Sequence, residues 1–211
     1  MKNACLLVLA LFSTMAARSQ KFEFIGYGGY TYDERVDATG GFYTYGKISG
    51  SGMWGAAVEY MAQDNGIILD FNDQSTTFTL NPYNGAPDIK NGKMTLSYLT
   101  IGGNRYYGKG KGRLYGGASI GACFLSSSFD QLSDHYTSSG TKFAWVLRLG
   151  GKYYASQRLG VRMEAQLQSP VNGAGVGFGF GTGGAGLGVT TYGSILQFGL
   201  SIGIILRFGA K

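Results

Sequence analysis

Between Leu159 and Gln168 the chain alternates without a break. Leu159, Val161, Met163, Ala165 and Leu167 share one parity, and Gly160, Arg162, Glu164, Gln166 and Gln168 share the other. A period of two predicts a β-strand with one apolar and one polar face. The pattern returns from Leu196, where Leu196, Phe198, Leu200, Ile202, Ile204, Leu206 and Phe208 oppose Gln197, Gly199, Ser201, Gly203, Ile205 and Arg207. Strands of soluble proteins run to about 5–6 residues, whereas these alternations last roughly 10 to 13. A tilted strand of about 9–11 residues crosses the hydrocarbon of a bilayer, so both runs are long enough to span one.

Six further segments read in the same way: Phe22 to Tyr32, Met53 to Met61, Gly66 to Phe78, Met94 to Tyr107, Arg113 to Phe124 and Lys142 to Tyr154. The connections alternate in length. Asp33 to Gly52, Thr79 to Lys93, Leu125 to Thr141 and Ser169 to Ser194 are long; Ala62 to Asn65, Gly108 to Gly112 and Ala155 to Arg158 are short. Transmembrane barrels have short periplasmic turns and longer outer loops, while a soluble sandwich has no reason to sort its loops by side. The pattern predicts an all-β fold, an eight-stranded antiparallel up-and-down transmembrane β-barrel over residues 20–211. Closure of the ring pairs every backbone donor and acceptor, as hydrocarbon requires.

Composition supports this. The 211 residues include 37 glycines, 15 tyrosines and 13 phenylalanines against three prolines, and only 14% are charged, below the ~25% of soluble domains. Mean hydropathy nevertheless lies close to zero, because a barrel strand gives lipid only every second residue. Tyr60, Tyr106, Tyr107, Tyr153, Tyr154 and Phe208 at the predicted periplasmic strand ends, with Tyr30, Tyr32, Phe124, Phe143 and Trp145 toward the outside, are placed as interfacial girdles. At the N-terminus Lys2, the apolar run Ala4 to Phe12 and the small-residue stretch "AARSQ" make a secretory signal peptide over residues 1–19. The run is far short of the ~20 residues of a spanning helix. Cys5 leaves with it, so Cys123 remains alone and no intramolecular disulfide is expected. Loss of Lys2 and Arg18 takes the basic count from 18 to 16 against 12 acidic side chains, an excess too small to imply a nucleic-acid partner.

The eight strands, the glycine- and tyrosine-rich composition and the opening "FIGYGGYTY" resemble the small eight-stranded outer-membrane barrels of the OmpX, OmpW and OmpA transmembrane-domain type, in particular the porin-family barrels of Bacteroidota. The resemblance covers the whole mature chain and rests on pattern. It implies the bacterial outer membrane as location, outer-membrane lipid and lipopolysaccharide as surroundings, and the barrel-assembly machinery as a partner. Such barrels usually finish on an aromatic residue that this machinery reads; here Gly209, Ala210 and Lys211 follow Phe208.

Candidate chemistry lies in three places. The stretch "GAGVGFGFGTGGAGLG" from Gly173 to Gly188 contains the spacing GxGxxG twice, but no helix former and no acidic residue follows it, so it lacks the context of a dinucleotide site. It is read as the last outer loop, either a flexible glycine connection or a short hairpin whose Val176, Phe178 and Phe180 offer an apolar contact surface to a partner or to lipopolysaccharide chains. The sole histidine, His135, stands beside Ser133 and Asp134 on the third long loop. Neighbours in sequence do not make a triad, and one histidine without a cysteine pair is a poor metal site.

The third place is the polar face of the strands. Glu59 on the second predicted strand and Asp70 on the third oppose Arg148 and Lys152 on the sixth and Arg162 and Glu164 on the seventh. In a ring of eight, the second strand faces the sixth and the third faces the seventh, across a space just wide enough for side chains. Such a set could form an ion-pair gate in a narrow polar channel, or a packed core of mutually paired charges. The second reading is favoured, since unpaired buried charges cost several kcal/mol and eight strands leave little bore. The function expected is that of a non-enzymatic structural or surface-interaction protein, without a cofactor, whose outer loops meet an extracellular ligand or partner protein. The alternatives are a narrow channel or small-solute porin, and a lipid-A-modifying enzyme built on His135.

Overall fold

The computed structural model describes residues 21–37, 43–82, 89–131, 134–171, 177–181, 184–188 and 195–209. The expected signal segment, residues 1–19, lies outside them. The strands in chain order are β1 (Lys21–Thr31), β2 (Glu34–Asp37), β3 (Tyr43–Ile48), β4 (Ser51–Ala62), β5 (Asn65–Pro82) and β6 (Ile89–Tyr107), then β7 (Gly112–Gln131), β8 (Asp134–Tyr154), β9 (Leu159–Val171), β10 (Gly177–Gly181), β11 (Gly184–Gly188) and β12 (Gln197–Phe208). β1 pairs with β4 on one side and with β12 on the other. The antiparallel ladder continues from β4 through β5, β6, β7, β8 and β9 to β12. The eight strands thus close into an antiparallel barrel, with no open edge around the ring.

The two faces of the wall follow the alternation in sequence. On the outside Leu149 is 70%, Met163 64% and Ile202 60% exposed, an arrangement that only an apolar surrounding stabilises. On the inside Arg162, Glu164, Gln166 and Gln168 of β9 and Gln197 and Ser201 of β12 are buried. The three short turns, together with the start of β1 and the end of β12, lie at one end of the barrel; the long connections lie at the other.

Two features depart from the expected boundaries. Segments assigned to long loops are largely strand: β5 reaches Pro82, β6 starts at Ile89, β7 runs to Gln131 and β8 starts at Asp134. Above the lipid there is no reason for one face to stay apolar, so the hydropathy alternation fades at Ser126, Ser127 and Ser128 while the backbone ladder continues. The first long connection likewise holds the β2–β3 hairpin, and β3 continues the β4 wall along β5, with Ile48 opposite Phe78 and Met53 opposite Gln74. In the last connection β10 and β11 form a separate hairpin, Phe178 opposite Leu187 and Phe180 opposite Ala185.

The girdle assignment needs one correction. Tyr107 and Tyr153 face outward, but Tyr106 and Tyr154 are buried inside the barrel. Side chains alternate strictly along a strand, so of two consecutive tyrosines at a strand end one must enter the lumen.

Candidate functional site: the barrel lumen

The lumen is filled in layers. Nearest the short turns, Met61, Tyr106 and Tyr115 pack together, the two rings 5.3 Å apart. Above them lies a charged zone, then a shelf of amides, then an apolar layer beneath the long connections that includes Ile48, Phe78, Leu96, Tyr98, Cys123 and Leu125.

The charged zone holds four buried carboxylates among the described residues, Glu23, Glu59, Asp70 and Glu164. Each accepts a hydrogen bond from a tyrosine. Tyr154 donates to Glu23 at 2.8 Å, Tyr106 to Glu59 at 2.6 Å, Tyr27 to Asp70 at 2.8 Å and Tyr115 to Glu164 at 2.5 Å. Each also faces a cation. Lys152 Nζ bridges Glu59 at 2.5 Å and Glu23 at 2.7 Å, and Arg207 donates to Glu23 from Nε and Nη2 at 2.9 and 2.8 Å. Arg148 donates to Asp70 at 2.6 Å and to the Ser119 hydroxyl, and its Nε lies 3.6 Å from Glu164. Arg162 stands 3.6 Å from Glu164 and stacks 4.6 Å over the Tyr27 ring.

Local sequence explains how these groups fit. Tyr27 and Glu59 each lie over a glycine of a neighbouring strand, where no Cβ stands in the way. A Cβ on Gly55 would lie 2.3 Å from the Tyr27 ring, and one on Gly66 would lie 2.0 Å from the Glu59 carboxylate. The register matters as well. Glu23 and Glu59 are cross-strand neighbours on β1 and β4, a like-charge pairing that is destabilising by itself, and Lys152 from β8 offsets it by binding both. The aromatic floor adds to this, with Lys152 Nζ 4.8 Å from the Tyr106 ring centroid, a favourable cation–π distance.

The structure therefore places the six residues singled out from sequence in one cluster; the facing pair of Glu59 and Lys152 forms, and the rest of the pairing differs. Asp70 of β5 binds Arg148 of β8, and Arg162 has Glu164 of its own strand as its charge neighbour. Facing strands alone did not decide this, because long side chains reach diagonally. Glu23, Arg207 and the four tyrosines were missed. Parity held the signal: Tyr154 is two residues from Lys152 and Tyr106 is two from Asn104, both lumen residues.

Above the charges, Gln168 accepts from Asn72 at 3.4 Å and from Gln166 at 3.1 Å, and donates to Gln197 at 3.4 Å. Val176 and Ser133 lie outside the described residues, as do the side chains of Phe178, Phe180, Asp134 and His135; of the last two, only the strand pairing is described. Among the described residues no group of three or more His, Cys, Asp or Glu side chains is arranged to hold a metal ion.

A closed eight-stranded wall, apolar outside and charged within, has the fold of the outer-membrane β-barrels. Solved structures similar to it are OprG from Pseudomonas aeruginosa, with a TM-score of 0.58, 15% identity and coverage of 89% of this chain and 95% of that one; a major outer membrane protein from Thermus thermophilus, with 0.56, 13%, 90% and 100%; and Neisserial surface protein A, with 0.54, 11%, 89% and 97%. At these identities the likeness is one of fold. No protein-family model matches the chain, nor does any sequence among the curated proteins.

Proposed function

We propose that this chain is a plugged barrel of the bacterial outer membrane, non-enzymatic, serving as a structural or surface-interaction protein through its long outer connections. The observation that carries this reading is the balance of the lumen. Four carboxylates meet Lys152, Arg148, Arg162 and Arg207, and each carboxylate is also bound by a tyrosine. Charges held this way in a narrow space form a wall rather than a path. Contact with an extracellular ligand, partner protein or lipopolysaccharide falls to the outer connections, including Val176, Phe178 and Phe180 of the glycine-rich segment.

One observation favours a narrow channel as the second reading. Polar atoms of Gln74, Gln166, Gln197 and Arg162 are buried without a direct hydrogen-bond partner among the described residues, so a file of water could reach the amide shelf. Planar-bilayer recording of the wild type and of Asp70→Asn separates the two. A plugged core gives near-zero current from both and a less stable variant; a stable variant that conducts, or a conducting wild type, replaces the plug by the channel.

A further inference from the structure

The lipid-facing wall is not uniformly convex. Near the short-turn end, Tyr107, Leu114, Gly151, Tyr153, Val161 and Met163 of four consecutive strands surround a groove of about 520 Å³, within the ~300–1,000 Å³ typical of small-molecule sites. Its depth comes from the register. Leu114 and Met163 are the neighbours of Gly151 on either side, and Gly112 is the neighbour of Tyr153. A glycine thus forms the floor between large apolar walls.

The end of this groove is cationic. Gly108 and Gly112, which bound the turn "GKGKG", also line the groove. Lys109 and Lys111 lie between them, exposed, and among the described residues neither has an ion-pair partner. Arg158 is exposed in the adjacent turn. The nearby acid, Asp64, is already bound to Arg113 at 2.6 Å.

From these features we infer that the groove is a binding site for one phospholipid with an anionic headgroup, an acyl chain lying along Gly151 and the phosphate held by Lys109 and Lys111. A flat barrel wall offers lipid only transient contact. Here an apolar slot runs directly into a cationic turn, so one molecule can meet both. The anionic class follows from the turn: the ammonium of a zwitterionic headgroup finds no free carboxylate there, while a net negative headgroup meets two unpaired lysines. The site is on the outside of the wall and is independent of whether the lumen conducts.

The test is native mass spectrometry of the full chain released from detergent with an equimolar mixture of phosphatidylglycerol and phosphatidylethanolamine bearing the same acyl chains. The wild type should retain one lipid and prefer phosphatidylglycerol by about fivefold or more, the factor of a single interfacial lysine. Lys109→Gln with Lys111→Gln, which changes two exposed side chains and leaves the backbone bond from Tyr154 N–H to the Lys111 carbonyl in place, should bring the two lipids to parity. Gly151→Leu should abolish the retained lipid, and a Cβ there meets nothing closer than Leu114 at 3.4 Å, so the barrel should keep its heat-resistant mobility on gels. Equal retention of both lipids by the wild type, an undiminished preference in the lysine variant, or a retained lipid in folded Gly151→Leu overturns the site.

Discussion

Lys152→Met removes the cation that Glu23 and Glu59 share. Methionine keeps the apolar stem of lysine and is one atom shorter, so packing changes little and the effect reports mainly charge. Glu23 would keep Arg207 at 2.8 Å and Tyr154 at 2.8 Å. Glu59 would keep Tyr106 at 2.6 Å and Asn104 at 2.9 Å but face no cation. The two carboxylates would also stand opposite each other across β1 and β4 with nothing between them. Removing one member of a buried ion pair costs ~3–5 kcal/mol; with the surviving hydroxyl and amide donors discounted, the loss here is about 4 kcal/mol. At a slope of about 2 kcal/mol per molar urea, the unfolding midpoint in micelles should fall by about 2 M. The decisive control is the double variant Glu59→Gln with Lys152→Met, which removes a charge of each sign and leaves Glu23 on Arg207. It should be more stable than Lys152→Met alone. A single variant within about 1 kcal/mol of wild type, or a double variant no better than the single, would refute the shared-cation account.

Two further outcomes test the wall and the outer end. Ile202→Arg puts a cation on the lipid face near the middle of β12 and should cost ~2–4 kcal/mol, whereas Phe208→Arg at the end of the same strand should cost ~0–1; equal losses in urea unfolding would mean the membrane does not sit where the apolar band lies. Glu34 of β2 accepts the Leu196 N–H, and burial pushes its carboxyl from 4.5 up to about 6. A folded pKa above the unfolded one means that its contribution to stability is complete below the unfolded value and lost as pH rises through the folded one. Glu34→Gln keeps an oxygen for the Leu196 amide, so it should raise the thermal midpoint at about pH 7.5 and leave it unchanged at about pH 4. The same shift at both pH values would rule that out.

What the sequence disclosed was governed by lipid. Where a strand touches hydrocarbon, selection for apolar residues on one parity is strict, and the ring of eight with its inner and outer faces could be read from runs such as Leu196 to Phe208. Where the strands rise beyond it, as in β7 from Ser126 to Gln131, nothing enforces the alternation and the paired backbone left no hydropathy trace. Glu23 was hidden for a related reason: its own parity continues with Ile25 and Tyr27, which pack into the lumen as Ile68 and Ile205 do, so β1 looks apolar on both sides. Tyrosine is ambiguous by nature, since its ring suits an interface and its hydroxyl suits a buried carboxylate. Only the company of Lys152 and Asn104 on the same parity separates Tyr154 and Tyr106 from a girdle.

The span of the charge cluster along the chain bears on assembly. Lys152 reaches back 129 residues to Glu23, and Arg207 reaches back 184. The Arg207 contact cannot exist until the last strand has met the first. A chain that stalls with its seam open leaves Glu23 without Arg207 and its half-formed interior unbalanced. The final strand therefore supplies two things at once, the missing backbone ladder along β1 and the missing counter-charge beneath it. An incomplete barrel is deficient by both measures, so closing the ring and balancing its inner charge are one event.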